Sequence, residues 1–441
     1  MTAQHELRFD LTPGGTLGGC LTVPGDKSIS HRAVMLSAIA DGASEISGFL
    51  EGADSLATLR AFRQLGVEIE GPEQGRVRVH GVGLHGLQPA AAPLEMGNSG
   101  TSMRLLTGLL SGQSFATELV GDASLSKRPM GRVVEPLSTM GARITASAQG
   151  TAPLLIQPAG EGLRGIEYAL PVASAQVKSS LLLAGLYAQG ETCVIEPVPT
   201  RDHTERMLQA FGCQVQQQGT RRCLSGGQRL SGAPIAVPGD ISSAAFFLVG
   251  ASIATGSDLT LTGVGINPTR TGVISILQAM GANIELLNPR DQGGEPVADL
   301  RVRAAELTGI RIPLDQVPLA IDEFPALFIA AACAQGETLL QGAEELRVKE
   351  SDRIQTMADG LQALGIEAEP LPDGLRIQGG VLQGGSVDSH GDHRVAMSFA
   401  IAALRAREAI EVRNCDNVNT SFPHFATLAA AAGLGIVERY D

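Results

Sequence analysis

The sequence predicts an α/β protein of two domains, each built from three copies of one unit of about 70 residues. Three observations predict it. At 441 residues the chain is too long for one ordinary core, so two domains of roughly 200 residues are expected. One phrase, an amphipathic helix ending in Gly and followed by a short strand, recurs six times. A turn, Val-Pro-Gly-Asp-X-Ser, occurs twice, opening at Val23 and again at Val237.

The phrase reads LRAFRQLGVEI around Gly66, LSTMGARI around Gly141 and LQAFGCQV around Gly212. It returns as LQAMGANI at Gly281, LQALGIEA at Gly365 and, more loosely, LAAAAGLGI at Gly433. The intervals are 75, 71, 69, 84 and 68 residues. Each Gly stands where a helix C-terminus calls for a left-handed residue. Upstream of the phrase runs a small-residue apolar helix, such as LLLAGLYAQG or LFIAAACAQG, and a strand such as TCVIEPV or SDLTLTGV follows it. The unit therefore reads strand, helix, strand, helix, strand, which indicates α/β layers. Six units fall into two groups of three, and the duplicated turns stand where one group gives way to the other. Residues 1–22 with 237–441 are expected to form one domain and residues 23–236 the other, so the chain crosses between them twice.

Composition narrows the function. Hydrophobic residues make up 44% and charged residues 18%, as in a folded globular chain. With 3% aromatics and no Trp the core must be aliphatic, which argues against base-stacking platforms for single-stranded nucleic acid. A net charge of −13, with no basic run longer than two, also argues against nucleic acid. Six Cys without a Cys-x-x-Cys pair read as reduced thiols. The start, MTAQHELRFD, shows no leader pattern, and a cytoplasmic protein is expected. The uncharged stretch Ile241 to Ser257, interrupted by Gly and Ser, is short of the roughly 20 apolar residues of a membrane span. Eight His include His390 and His393 flanking Asp392, too few ligands for a metal site, so no metal is expected. Of 33 basic residues only four are Lys: Lys27, Lys127, Lys178 and Lys349.

In the first turn, VPGDKSISHR, Pro and Gly make the bend, Asp26 or Ser28 can cap, and a helix follows. A helix N-terminus presents free N–H groups and a positive dipole end. Lys27 and Ser28 stand at that end, with Arg32 one turn along, making an anion site on an acidic protein. The second copy has Ile241 in place of Lys27 and is read as scaffold. Asp26 intervenes where a P-loop needs Gly, which removes that reading. The loops between each unit's strand and its last helix read GADS, LSKRPMGR, PTRDHTER, NPTRTG, RVKESDR and DNVNTSFP. Four carry a cation at about the same register: Arg128 beside Lys127, Arg201, Arg270, and Lys349 with Arg353. Equivalent loops of a repeated fold open on one side, so these cations are expected to converge on a cleft between the domains. Asp322 and Glu350 bring carboxylates for proton transfer. NSGTSMR offers a further helix start at Gly100, and Asp392-His393-Arg394 places Arg394 in the first turn of another.

The blocks PGDKSISHRA, GNSGTSMRLL, SLSKRPMGR, ASAQVKSS, RDHTERML, DEFPAL, RVKESDRI and GDHRVAMS, in this order over the full length, resemble the 5-enolpyruvylshikimate-3-phosphate synthases of the enolpyruvyl transferase family. The resemblance implies a two-domain inside-out α/β barrel with three βαβαββ units per domain. It implies transfer of the enolpyruvyl group of phosphoenolpyruvate to the 5-hydroxyl of shikimate 3-phosphate, with loss of phosphate, no cofactor and a monomeric state. By resemblance, Lys27 touches both substrates, and Ser28 and Arg32 hold the shikimate carboxylate. Ser174, Gln176 and Arg201 surround its 3-phosphate. Asp322 and Lys349 address the ring hydroxyls, with Asp322 as the base. Gly100, Arg128, Gln176, Arg353 and Arg394 hold phosphoenolpyruvate, and Glu350 protonates its methylene carbon. All four Lys fall within these blocks, which implies a functional place for each.

Two positions depart from the family pattern. Ala175 stands where many members carry a second Ser, and Thr420 where some carry Lys. Thr420 fits the subgroup with reduced glyphosate sensitivity and Gly100 the sensitive pattern, so the two positions conflict and the resemblance leaves inhibition open. The related transferase acting on UDP-N-acetylglucosamine usually has a reactive Cys in the loop corresponding to LSKRPM, but no Cys occurs here between Cys20 and Cys193. A non-catalytic anion binder on the same scaffold could dispense with Asp322 and Glu350, and both are present.

Overall fold

Six glycines end the six helices of the recurring phrase with positive φ: Gly66 at 85°, Gly141 at 98°, Gly212 at 87°, Gly281 at 102°, Gly365 at 82° and Gly433 at 115°. Gly adopts this region without the Cβ clash of other residues, so each helix stops and the chain turns into a strand or loop. The structure, a computed structural model, describes residues 6–440. The helices so terminated are Ala53–Gln64, Gly131–Thr139, His203–Ala210, Gly272–Ala279, Arg353–Ala363 and Phe425–Ala432.

A second set of six helices is buried along almost its whole length. It comprises Lys27–Ala38, Gly100–Leu110, Ala175–Gly185, Ile241–Ile253, Phe324–Cys333 and His393–Ala402. Their Ala, Ser and Gly content lets them approach one another closely. Some hydroxyls inside them are satisfied within the helix, as where Ser398 Oγ donates to the Arg394 carbonyl and Ser252 Oγ to the Leu248 carbonyl. Ile241–Ile253, within the uncharged stretch, is a core helix buried at every position, and no described helix is long and apolar enough to cross a membrane.

Among the described residues the strands form six sheets, five of four strands and one of three. The four-stranded sheets share a plan. In one, Ile235–Ala236 runs parallel to Asp41–Ser47, which pairs antiparallel with Arg76–Val82, which pairs antiparallel with Glu68–Glu73. The three-stranded sheet has single parallel bridges, Thr308 to Gln335 and Arg311 to Leu339, on the side where the others have their parallel strand. This common pattern is the six-fold repeat seen at the level of hydrogen bonds.

The chain forms two units, Met1–Pro24 with Pro238–Asp291 and Glu295–Asp441, and Gly25–Val237 with Gln292–Gly294. The divisions fall inside the two Val-Pro-Gly-Asp turns. Leu7–Leu11 lies between Ile410–Arg413 and Ile436–Tyr440, and Gly18–Leu21 runs beside Asp258–Gly265, so the start of the chain belongs with its C-terminal half. Each unit has three of the sheets and one apolar core made by its three buried helices and their neighbours. In the C-terminal unit these helices all touch one another; in the other, Gly100–Leu110 packs on both its companions. Helices rather than strands thus occupy the middle of each unit, the inside-out α/β arrangement.

One expectation is overturned. Cys193 and Cys223 are not both reduced: they lie directly opposite each other on the antiparallel strands Glu191–Ile195 and Arg221–Ser225 and are joined by a disulfide. Cys20, Cys213, Cys333 and Cys415 are free, and burial pushes the Cys213 and Cys333 thiols up, to about 11 and about 12.

Candidate active site

Every buried helix begins at a polar start, and a capping side chain takes up one of its unpaired N–H groups in five of the six. Asp26 accepts from Ile29 N, Ser99 from Ser102 N, Ser174 from Val177 N, Asp240 from Ser242 N and Asp392 from Arg394 N. Of the residues expected from sequence to bind anions, Lys27, Ser28, Gly100, Ser174, Gln176 and Arg394 stand at these starts, while Arg201 precedes His203–Ala210 and Arg353 opens Arg353–Ala363.

In the unit of residues 25–237, Lys27 Nζ lies 3.1 Å from Asp54 Oδ2, on the helix that follows the next strand. Arg32 is buried. Its Nη1 donates to the Ser28 carbonyl at 2.9 Å, Nε to Thr204 Oγ1 at 2.7 Å and Nη2 to Ser179 Oγ at 2.8 Å. Around Gly100, Arg104 Nη1 donates to Gln176 Oε1 at 2.7 Å, and Gln176 Nε2 donates to Thr101 Oγ1 at 3.0 Å. Arg128 Nη2 donates to Asn98 Oδ1 at 2.7 Å. A Cβ on Gly100 would stand 3.0 Å from Arg104 Nη1 and 3.2 Å from Arg128 Nη1, so the glycine lies directly against two guanidinium groups.

His31 ties these starts together. It is wholly buried between Lys27 and Arg32 on the first helix. Its Nδ1 lies 2.8 Å from Thr58 Oγ1, on the Asp54 helix, and 3.3 Å from Ser102 Oγ, which donates to the cap Ser99 at 2.8 Å. Desolvation, with the charges of Lys27 and Arg32 adding to it, lowers its pKa to about 3. His31 is therefore a neutral hydrogen-bonding peg linking three helices.

In the other unit, three carboxylates meet the guanidinium of Arg353, and two further expected residues, Lys349 and Arg394, reach one of them, Asp322. Arg353 Nε donates to Asp392 Oδ2 at 2.8 Å and Nη2 to Glu350 Oε2 at 2.6 Å, while Nη1 is 3.5 Å from Asp322 Oδ1. Lys349 Nζ lies 3.4 Å from the same Asp322 oxygen, and Arg394 Nη1 donates to the Asp322 carbonyl at 2.9 Å. Burial alone would lower the pKa of Arg353, but the charges of Asp392, Glu350 and Asp322 outweigh it and raise it. Glu323, also buried, accepts from Ser242 Oγ and lies 4.0 Å from Arg394 Nη1.

Sequence reasoning overlooked four members of these clusters: Asp54, Arg104, Glu323 and Asp392 as a partner of Arg353. Asp54 stands in GADS at the register where other copies carry their cation. Arg104 is the last residue of NSGTSMR, one turn past Gly100. Two readings need correction. The second Val-Pro-Gly-Asp turn does hold a cation: Arg270 Nη2 donates to Ser242 Oγ at 2.7 Å and Asp240 Oδ1 at 3.2 Å. The charge arrives from the following loop rather than from the turn. Lys178, expected among the functional cations, is fully buried and faces Glu196 and Glu205.

In each unit, then, cations stand beside carboxylates near helix starts. Residues 11–428 match the family model for EPSP synthase (3-phosphoshikimate 1-carboxyvinyltransferase). The 3-phosphoshikimate 1-carboxyvinyltransferase of Methylococcus capsulatus is 67% identical over 431 residues, covering 98% of both chains. That of Alkalilimnicola ehrlichii is 67% identical over 433 residues, covering 98% of this chain and 97% of the relative. Among solved structures, an EPSP synthase from Acinetobacter baumannii superposes with a TM-score of 0.88 at 56% identity, over 98% of this chain and 100% of that one. The enolpyruvyl transferase NikO from Streptomyces tendae, at 17% identity, has a TM-score of 0.80 over 99% of this chain and 100% of its own, a likeness of fold alone. With the family matched along almost all of its length, the chain belongs to the EPSP synthases, the 3-phosphoshikimate 1-carboxyvinyltransferases.

Proposed function

We propose that the two clusters act on one pair of substrates, shikimate 3-phosphate and phosphoenolpyruvate, joining the enolpyruvyl group to the 5-hydroxyl and releasing phosphate. The observation that carries this reading is the convergence of Asp322, Lys349, Glu350, Asp392 and Arg394 around or beside the Arg353 guanidinium. Two carboxylates suited to proton transfer stand within reach of cations suited to a phosphate and a carboxylate.

In this reading Asp322 removes the 5-hydroxyl proton as the oxygen attacks C2 of phosphoenolpyruvate. Glu350 delivers a proton to the methylene carbon, giving a tetrahedral adduct that still bears the phosphate. Loss of a proton from the new methyl group and departure of phosphate regenerate the double bond. Arg353, Arg394, Arg128 and Lys27 stabilise the negative charge, and the N–H at Gly100 supports it. Ser28 and Arg32 take the shikimate carboxylate, Ser174, Gln176 and Arg201 its phosphate, and Lys349 a ring hydroxyl. No cofactor is called for. A cytoplasmic, monomeric enzyme completes the reading, by resemblance to the family.

A phosphate-release assay tests it. Release should need both substrates together and should not occur when UDP-N-acetylglucosamine replaces shikimate 3-phosphate. Release with neither acceptor would refute the assignment.

A further inference from the structure

Lys178 has no part in the chemistry proposed above, yet its side chain has no exposure at all. A buried ammonium is costly unless paired, so its partners show what the burial achieves. Nζ lies 2.7 Å from Glu205 Oε1 and 3.1 Å from Glu196 Oε2, and it donates to the Thr200 carbonyl at 3.5 Å. Both glutamates are themselves buried. The other oxygen of Glu196 takes the N–H of Thr200 at 3.1 Å and its hydroxyl as well. Glu205 stands in the first turn of His203–Ala210. Arg222 Nε, 3.7 Å from Glu205 Oε1, balances the second negative charge.

Arg201 is thus held from both sides. Thr200 before it and Glu205 after it are anchored to one ammonium. That ammonium belongs to the helix whose N-cap is Ser174. The next residue on the helix, Ser179, accepts from Thr204 Oγ1 at 2.7 Å, a parallel link one residue along.

We propose that Lys178 is a positioning residue for phosphate recognition, clamping both ends of the Arg201 segment to the helix that starts at Ser174. This rests on the assignment of Ser174 and Arg201 to the 3-phosphate of the substrate. A guanidinium carried on a segment already fixed in place loses less freedom when the phosphate arrives than one on a loose loop, which must be ordered at the expense of affinity.

The test compares shikimate 3-phosphate with shikimate, which lacks the phosphate, by calorimetry. The variant Lys178→Met with Glu196→Gln removes the clamp and keeps the buried charges balanced, leaving Glu205 with Arg222. Shikimate 3-phosphate should bind about tenfold more weakly, and shikimate within about twofold of the parent. Arg201→Ala should then cost less in this background than in the parent. Equal weakening of both ligands, or of neither, overturns the proposal. Glu196→Gln alone, expected to show the same phosphate-selective loss, serves if the double variant does not fold. Arg201→Ala in the parent separates the two levels. If it leaves shikimate 3-phosphate binding unchanged, the site assignment fails and the proposal with it. If it weakens that ligand while the clamp variants do not, the proposal alone fails.

Discussion

Arg353 and Asp392 form a buried ion pair, Nε to Oδ2 at 2.8 Å, with neither side chain more than 1% exposed. The same carboxylate caps the helix His393–Ala402 by accepting from Arg394 N at 2.9 Å. One Asp therefore orients two arginines assigned to phosphoenolpyruvate. Asp392→Asn keeps an acceptor for the cap but removes the charge. The KM for phosphoenolpyruvate should rise about tenfold to a hundredfold, and the fold should lose about 3–5 kcal/mol as Arg353 is left under-compensated. Steady-state kinetics and thermal melts read both, and an unaltered KM would show that Asp392 has no hold on the substrate site.

Asp322 faces Lys349 and Arg353 at 3.4 and 3.5 Å, and both cations keep another carboxylate partner, Glu345 and Asp392 respectively. Asp322→Ala should leave the dissociation constants of both substrates within about threefold while kcat falls by about 10²–10⁴, the usual range for loss of a general base. Calorimetry and single-turnover assays separate the effects. Turnover at the parental rate would remove its role as base.

His31 titrates at about 3 in the folded protein and near 6.5 when unfolded. Between those values the unfolded chain binds the extra proton, so stability falls as pH drops through the window and is unaffected by this group above it. The slope attributable to His31 is about 1.4 kcal/mol per pH unit once the unfolded residue is protonated. His31→Gln lacks it. Its deficit relative to the parent, measured by denaturant midpoints at several pH values, should be largest at pH 7 and shrink by pH 4.5. A constant deficit would mean that His31 is not held neutral.

Gly100→Ala should fold normally, because Gly100 is not at a left-handed φ and the new methyl meets only the ends of two flexible side chains, Arg104 and Arg128. Displacing those ends narrows the space beside them. The Ki for glyphosate should rise on the order of tenfold more than the KM for phosphoenolpyruvate, since the longer ligand needs that space. Equal losses would contradict this.

The repeat was legible because its marker is local: a Gly at a left-handed helix end needs no knowledge of distant contacts. Lys27, Gly100 and Arg353 were legible for the same reason, being at or near helix starts. The readings that failed depend on what lies across space. Nothing in a separation of 30 residues indicates that Cys193 and Cys223 face each other, because the chain runs through the helix His203–Ala210 and the strand Gln216–Gln218 before the two cysteine strands pair. A lysine in a run of substrate motifs looks the same whether it reaches an anion or turns beneath its own helix, as Lys178 does. Arg270 was visible, but the second turn seemed uncharged because its partner comes from a different loop.

The two Val-Pro-Gly-Asp turns have the same letters and opposite wiring. In one, the turn supplies the cation and the next helix the carboxylate, Lys27 with Asp54. In the other, the turn supplies the carboxylate and the next loop the cation, Asp240 with Arg270. Copying the second stretch over the first would take the ammonium away from Asp54. Copying the first over the second would add a lysine to a turn that Arg270 already neutralises. The two stretches share the letters of one turn without being interchangeable.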